Sequence, residues 1–211
     1  MAGCCDPRSY ERLFGAKAAA RDARRYERRG LGGTAHDLVE LAGDVTGATV
    51  LDVGGGVGAI ELELLAGGAE RATNVELSGG YEEAAARLLA ARGLRNRVER
   101  RVGDFVTAPV EPHDVVVLHR VVCCYPDADG LVGAAAMRTR RRLLLTYPQE
   151  RPWTRVGVRV ANAGLRLFGS GFRVYVHPVA RMAAAASAHG LALGERRRHG
   201  LIWESAAFLR G

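Results

Sequence analysis

VLDVGGGVGAIELEL, residues 50–64, changes character halfway along its length. Up to Val53 the residues are mostly β-branched and apolar, which is typical of a buried strand. Three consecutive glycines, residues 54–56, and then Gly58 interrupt this pattern, and Ala59–Leu65 has the composition of a helix. Glycines let a backbone approach a ligand closely, and the helix that follows offers free N–H groups. The stretch therefore predicts a strand, a glycine turn and a helix, with a ligand site at the turn.

Strands and helices alternate regularly around this unit. The predicted strands cover residues 48–53, 72–75, 98–102, 115–118 and 143–146, and the predicted helices cover 34–42, 59–65, 81–92 and 134–139. Such alternation indicates an α/β fold, in which a doubly wound parallel sheet has helices on both faces and right-handed crossovers.

The pattern changes after residue 150. An Arg-rich amphipathic segment covers residues 151–171, a short strand is predicted over 173–176, and a helix over 179–188. Two strands, 191–196 and 201–209, follow with only a few residues between them, so they must pair antiparallel.

Composition narrows the class of protein. The chain has 211 residues, of which 48% are hydrophobic, and it contains no run of the ~20 apolar residues that a membrane span needs. Its first thirty residues are Arg-rich instead of apolar. We therefore expect one globular domain, residues 1–211, in a soluble cytoplasmic protein without a transmembrane segment.

The chain is basic, with a net charge of +7, which invites a nucleic-acid-binding interpretation. Lys17 is the only lysine, however, and alanine and glycine are abundant, which indicates a compositional bias of the source. No nucleic-acid-binding motif is evident, so we do not expect a nucleic-acid partner.

The cysteines occur as two adjacent pairs, Cys4–Cys5 and Cys123–Cys124. Neither pair has the two-residue gap typical of a zinc site, so no metal is predicted. The default interpretation is buried thiols in the second pair and a partly ordered terminus around the first. The alternative is that the fold joins the pairs into a redox or soft-metal site.

The glycine turn is compatible with two cofactors. Gly54, Gly56 and Ala59 fit the dinucleotide pattern G-x-G-x-x-G/A, whereas Asp52 with the glycines also reads D-x-G-x-G-x-G. A carboxylate at Asp52 can face the ammonium of a bound amino acid, and it would repel a pyrophosphate. The turn alone does not decide the cofactor, and Asp52 favours a ligand with an amino-acid end over a dinucleotide.

Two later positions fit an adenosine. Glu76 ends the second predicted strand, 22 residues after Gly54, and suits the ribose hydroxyls of either cofactor. Asp104 and Phe105 follow the third strand and offer an acceptor for an adenine amino group beside a ring edge.

Residues 46–211 resemble the class I S-adenosylmethionine-dependent methyltransferases in element order, most closely in VLDVGGGVGAIELEL, NVEL (74–77) and GDF (103–105). The resemblance implies a seven-stranded Rossmann-like sheet whose last strand is inserted antiparallel, with S-adenosylmethionine as cofactor. It also implies a set of cofactor-binding residues: Asp52, Gly54, Gly56 and Gly58 at the methionine end, Glu76 at the ribose, Leu77 at the adenine face, and Asp104 with Phe105 at the adenine edge.

The second half is similar to small bacterial proteins related to the magnesium-protoporphyrin carboxyl methyltransferases. The similar stretches are LHRVVCCYPD (118–127), TYPQERPWTRVG (146–157) and HPVARM (177–182). This similarity implies a helical insert, residues 151–171, after the fifth strand, and it does not transfer the porphyrin substrate. The family also implies a lid, which here is the predicted helix 8–29.

Candidate catalytic residues follow the fourth strand, at the sheet edge where doubly wound folds bind ligands. His119 is the best-placed base for a hydroxyl or amine acceptor, with Tyr125 and His177 behind it. Alternatively, His119 binds the cofactor through its backbone carbonyl. Arg120 adjoins His119 and is expected to contact the acceptor.

The two helical segments are expected to control access to the site. Tyr10, Phe14 and Tyr26 would close over it from residues 8–29, and Trp153 from residues 151–171. The second segment is amphipathic, and two interpretations stay open. It covers the core, or its arginines contact an anionic or membrane-associated substrate.

The leading functional hypothesis is methyl transfer to the oxygen or nitrogen of a small molecule. An RNA or protein methyltransferase is the alternative, although no Asn-Pro-Pro-Tyr type motif follows the fourth strand. A non-catalytic S-adenosylmethionine-binding module and a nicotinamide-dependent oxidoreductase also stay open, because a fold does not fix a function. The sequence identifies neither the acceptor nor the oligomeric state.

Overall fold

A seven-stranded sheet forms the centre of the structure, a computed structural model that describes residues 7–211, with side chains from Tyr10 onward. Its strands are β1 (Thr49–Val53), β2 (Arg71–Glu76), β3 (Val98–Val102), β4 (His113–His119), β5 (Thr139–Pro148), β6 (Leu191–His199) and β7 (Trp203–Arg210). The spatial order is β3-β2-β1-β4-β5-β7-β6. Strand β7 pairs antiparallel with both β5 and β6, and the other pairs are parallel. The predicted Rossmann-like methyltransferase sheet is thus confirmed.

Helices cover both faces of this sheet. They are α1 (Pro7–Phe14), α2 (Ala16–Arg29), α3 (Gly33–Ala42), α4 (Ala59–Ala66), α5 (Glu82–Ala91), α6 (Ala128–Met137), α7 (Pro152–Leu167) and α8 (Val179–Ser187). Alternation along β4 divides the core between the faces. Val116 and Leu118 pack in the cluster that holds α6 and α8, and Val115 and Val117 in the cluster that holds α3 and α4.

The predicted helix over residues 8–29 is two helices, with a break at Gly15. Gly15 has extended backbone angles, φ −86° and ψ −168°, and a Cβ there would lie 2.5 Å from the carbonyl oxygen of Glu11. The break lets α1 turn towards the end of β2 while α2 packs against α5.

Two other predictions about elements were wrong. Residues 173–176 form no strand, because the amide of Asn162 accepts a hydrogen bond from the Val174 N–H at 2.9 Å and donates one to its carbonyl at 2.8 Å. The helix predicted over 134–139 instead spans Ala128–Met137 and begins at Asp127, whose carboxylate accepts from the Gly130 N–H at 2.9 Å.

Cys4 and Cys5 lie outside the described residues, so the hypothesis that joins them to Cys123 and Cys124 stays a prediction. Among the helices that the structure describes, none is both long enough and apolar enough to cross a membrane.

Candidate active site

A cavity of about 690 Å³ opens at the carboxyl ends of β1, β2 and β4 and is roofed by α1 and α2. Most of the predicted site residues lie in its wall: Tyr10, Phe14, Tyr26, Asp52, Gly54, Gly56, Glu76, Leu77, Asp104, Phe105, His119, Arg120 and Tyr125. Gly58 and Trp153 do not line it. The fold therefore brings together residues that are far apart in sequence, and their individual roles stay predictions.

The glycine turn after β1 forms the floor of the cavity and passes very close to other groups. A Cβ on Gly54 would lie 2.7 Å from a Val121 methyl group, and its φ of +62° suits glycine. A Cβ on Gly55 would lie 2.5 Å from an Asp52 carboxylate oxygen and 2.3 Å from the Asn74 amide. Gly55 was not among the predicted site residues, although the run of three glycines in the sequence could have indicated it.

A buried polar cluster lies beneath this turn. Asp52 is 1% exposed, and neither carboxylate oxygen has a hydrogen-bond partner among the described residues. The Asn74 amide donates to the fully buried Glu61 carboxylate at 2.8 Å. Arg100 reaches in from β3, 3.6 Å from Glu61, and donates to the carbonyl of Gly56 at 2.8 Å. Arg100 thus holds both the turn and the cluster.

Carboxyl groups outnumber cationic side chains in this cluster. Burial raises the pKa of Asp52 well above its ordinary value, and the neighbouring Glu61 raises it further. Burial also raises the pKa values of Glu61 and Glu76, although Arg100 opposes the increase in each case. A cation in the cavity would favour the ionised carboxylates.

Glu76 lies at the point where α1 meets the sheet. Its carboxylate accepts hydrogen bonds from the N–H groups of Gly56 and Ser78, both at 3.0 Å, and from the Tyr10 hydroxyl at 3.4 Å. Glu76 is only 2% exposed, and these hydrogen bonds fix the orientation of its carboxylate. A ligand that displaced the Tyr10 hydroxyl could therefore donate a hydrogen bond to a carboxylate that is already oriented.

The other aromatic residues of the predicted lid have different surroundings. Phe14 packs on Tyr10 with ring centroids 4.6 Å apart, and on Phe172 at 5.5 Å. Tyr26 contributes to the cavity wall, but its hydroxyl donates to Glu63 of α4 at 2.7 Å. This hydrogen bond of Tyr26 therefore connects α2 to α4.

The predicted adenine end is formed by Leu77, Asp104 and Phe105. Leu77 is 38% exposed, whereas Phe105 is buried. Asp104 accepts a hydrogen bond from the Val106 N–H at 3.0 Å, and the Tyr125 hydroxyl lies 3.5 Å from its other oxygen. Tyr125 thus adjoins this end of the cavity, and the His177 imidazole lies behind it, 2.9 Å from the Tyr125 carbonyl oxygen.

His119 is neutral at physiological pH. Burial, assisted by the positive charges of Arg120 and Arg25, lowers the pKa of His119 to about 3. Its Nε2 lies 3.0 Å from the Thr34 hydroxyl of α3, a residue that no sequence motif connects with the site. Such a weak base suits positioning better than proton abstraction.

Arg120 has an unusual backbone conformation for a residue with a side chain. Its φ is +59°, a conformation that costs about 1–3 kcal/mol outside glycine. The guanidinium donates to the Thr34 hydroxyl at 3.0 Å and lies over the Trp203 ring at 4.5 Å. The fold therefore sustains strain in order to place this cation in the cavity wall.

The cavity around Arg120 is cationic. Arg25 and Arg29 of α2 also line it, and neither Arg29 nor Arg120 forms an ion pair with a described acidic residue. Arg25 lies 3.7 Å from Asp22. Periodicity placed these α2 residues on a helix, but the sequence did not reveal that they face β4.

The second cysteine pair adjoins the same wall. The Sγ atoms of Cys123 and Cys124 are 3.7 Å apart, and Cys124 lines the cavity. Within the described part of the chain, no group of three or more His, Cys, Asp or Glu side chains is arranged to hold a metal ion. A redox or soft-metal role stays a hypothesis.

Solved structures with the same fold include a magnesium protoporphyrin IX methyltransferase from Synechocystis PCC 6803 with bound SAH (S-adenosylhomocysteine). It is 20% identical, with a TM-score of 0.74, over 98% of this chain and 100% of that one. An O-methyltransferase family protein from Burkholderia thailandensis is 21% identical, with a TM-score of 0.68, over 94% and 64%. An O-methyltransferase family 2 protein from Planctomyces limnophilus, in complex with apigenin, is 18% identical, with a TM-score of 0.70, over 93% and 62%.

No protein-family model and no curated protein sequence matches the chain. The structural likenesses confirm the resemblance predicted from sequence: the chain has the fold of the S-adenosylmethionine-dependent methyltransferases.

We expect His119 to stay unprotonated over roughly pH 5 to 8, the range in which an ordinary histidine titrates. NMR of the histidine-labelled protein would show a His119 signal, assigned by its loss in His119→Gln, that does not shift over this range. In Arg120→Gln the pKa of His119 should rise, because a neighbouring positive charge has been removed. A midpoint inside the range in the unmodified protein would contradict the assigned environment.

Proposed function

We propose that this protein is an enzyme that transfers a methyl group from S-adenosylmethionine to an oxygen or nitrogen atom of a small, anionic acceptor. The observation that carries the proposal is the glycine turn over a buried cluster in which carboxyl groups outnumber cations and the Asp52 carboxylate has no hydrogen-bond partner among the described residues. S-adenosylmethionine carries an ammonium, a sulfonium and one carboxylate, so it is a net cation that buried carboxyl groups can attract.

The residues present fit this cofactor. Asp52 lies in the cavity wall and its carboxylate oxygens have no hydrogen-bond partner among the described residues. The turn that covers it carries no side chain at Gly54 and Gly55, where a Cβ would collide with Val121, Asn74 or Asp52, so only the backbone faces the ligand there. Asp52 and the turn would hold the methionine end, Glu76 the ribose hydroxyls, and Leu77 with Asp104 the adenine. When bound, S-adenosylmethionine supplies an electrophilic methyl group.

The same charges disfavour a nicotinamide dinucleotide. A pyrophosphate at the turn would lie near Asp52 and Glu76, both of which are buried, and its charge would oppose their ionisation further. Like charges at this distance repel strongly where water is excluded. The Gly-rich turn alone suits either cofactor, and the cluster beneath it separates them.

The opposite end of the cavity favours an anionic acceptor. Arg25, Arg29 and Arg120 line it, and two of them lack an acidic partner among the described residues. An arginine can bind a carboxylate through two parallel hydrogen bonds, which fixes its direction. Because an anionic oxygen is already a nucleophile, no general base is needed, which agrees with the low pKa of His119.

The remaining residues act by positioning and by excluding water. The Thr34 hydroxyl accepts a hydrogen bond from the Arg120 guanidinium and also contacts the His119 imidazole, so it orients both side chains. Tyr10 and Phe14 cover the cavity from α1. In-line methyl transfer gains most from such alignment, since little other catalytic chemistry is required.

Glu76→Gln is expected to weaken S-adenosylmethionine binding about 10- to 100-fold, because a charged acceptor of hydrogen bonds becomes a neutral one. Isothermal titration calorimetry would measure this, with SAH as a second ligand. Glu83→Gln, on the exposed surface of α5, is the matched control and should leave the affinity unchanged. No binding to the unmodified protein, or preferential binding of NAD, would overturn the proposal.

Arg120→Gln is expected to raise the KM for the acceptor about 10- to 100-fold while the affinity for S-adenosylmethionine holds. The acceptor would first be found by screening small carboxylates against their neutral amides with methyl-labelled cofactor. Arg24→Gln, on the exposed surface of α2, is the control. Neutral acceptors turned over equally well by both proteins would contradict the anionic acceptor. Methylation of RNA or protein alone would favour the alternative enzyme class, and cofactor binding without any turnover would favour a binding module.

A further inference from the structure

Helix α7 turns its apolar side away from the protein. The residues that face the body of the protein are Thr154, Val158, Asn162 and Leu165, at intervals of three or four. Among the residues of α7 only Thr154 is buried, and Asn162 holds the following chain through Val174. The expected role of covering the core is therefore met by a narrow stripe alone.

The opposite side of α7 is apolar and exposed. We call it the outer face of α7 and define it as Trp153, Val156, Val160 and Leu167 together with Phe168, which follows the helix. Their exposed fractions are 53%, 56%, 67%, 86% and 89%. Burying these side chains against the protein would have stabilised the fold, so their concentration on one side indicates contact with something else.

The turn between β6 and β7 extends this surface. Leu201 is 74% exposed and Ile202 is 50% exposed, and the Trp153 indole donates a hydrogen bond to the Leu201 carbonyl at 2.9 Å. The apolar surface therefore includes residues from two separate parts of the chain.

Positive charge flanks the outer face. Helix α7 contains Arg155, Arg159 and Arg166 and no acidic residue. Arg155 lies 3.3 Å from Glu150, whereas Arg159 and Arg166 form no ion pair with any residue that the structure describes. An apolar stripe beside a row of arginines is the arrangement of helices that lie in a membrane interface.

We propose that the outer face of α7 docks onto the surface of an anionic lipid bilayer. The apolar side chains would enter the boundary between headgroups and acyl chains, and the arginines would contact the lipid phosphates. A second copy of this chain fits less well, because an antiparallel two-fold pairing of α7 would bring two rows of arginines together, and no pairing of α7 with itself offers them an acidic partner on that helix.

The docking face is connected to the cavity. After α7 the chain leads to Phe172, which packs against Phe14, a residue of the cavity wall. The proposal does not depend on methyl transfer, since it concerns the surface alone and is tested without cofactor or acceptor.

Vesicle flotation of the full chain tests the proposal. The probes are vesicles of phosphatidylcholine mixed with phosphatidylglycerol, and vesicles of phosphatidylcholine alone. We expect flotation with the acidic vesicles and much less with the neutral ones. Arg159→Gln and Arg166→Gln should each weaken partitioning about fivefold, and Leu167→Ser with Phe168→Ser at least about tenfold. All four residues are exposed, so thermal unfolding should show that the variants fold normally.

Matched controls lie on other surfaces. Met137→Ser removes an apolar side chain that is 60% exposed, and Arg87→Gln removes an exposed arginine of α5. Neither should change partitioning. Quenching of tryptophan fluorescence by brominated lipid should fall in Trp153→Phe, because Trp153 lies on the docking face.

The proposal fails if the protein does not float with acidic vesicles, or if the variants of α7 and the controls float equally. It also fails if light scattering shows a dimer of the unmodified protein that the Leu167→Ser, Phe168→Ser variant loses, because the face would then join two copies of the chain.

Discussion

The buried carboxylate cluster beneath the glycine turn is the constraint on which the rest of the site depends. Asp52, Glu61 and Glu76 come from three different elements, and Arg100 from a fourth. Arg100 pairs with Glu82, contacts Glu61 and donates a hydrogen bond to the carbonyl of Gly56. This one side chain therefore connects the turn to β3 and α5. Such a cluster is costly unless its charges are balanced. Burial is the main cause of the raised pKa values of Asp52, Glu61 and Glu76, so a bound cation, which favours the ionised carboxylates, would lower those pKa values.

The cavity is negative at one end and positive at the other. Carboxylates dominate near the turn, and arginines dominate where Arg120 meets α2 and α3. A cationic methyl donor and an anionic acceptor would both be attracted, each to its own end, and methyl transfer between them would neutralise both charges. Charges fixed in a poorly solvated site need little rearrangement during a reaction, which is the condition for strong electrostatic catalysis. The strained backbone of Arg120 is in keeping with this interpretation, because strain persists where the surroundings enforce it.

Local patterns predicted the sheet well and the acceptor end poorly. The strand, glycine turn and helix at residues 50–64 and the antiparallel end of the chain follow from periodicity and short connections, so they were predicted correctly. The break at Gly15 and the irregular residues 173–176 depend on contacts with Glu11 and Asn162, which periodicity does not show. Thr34 contacts His119 and Arg120 across two elements that are far apart in sequence, so local patterns could not predict this contact. Amphipathicity alone likewise did not show which side of α7 faces the protein.

Proton release on cofactor binding tests most directly the central claim, that the buried carboxyl groups beneath the turn bind a cation. A bound cation favours the ionised carboxylates and lowers their raised pKa values, so binding below those values should release protons and the affinity should increase with pH. Calorimetric titration of S-adenosylmethionine in mildly acidic buffers of different ionisation enthalpy would measure the released protons, with Asp52→Asn expected to release fewer. Proton uptake, or an affinity independent of pH and of the Asp52→Asn change, would contradict the account.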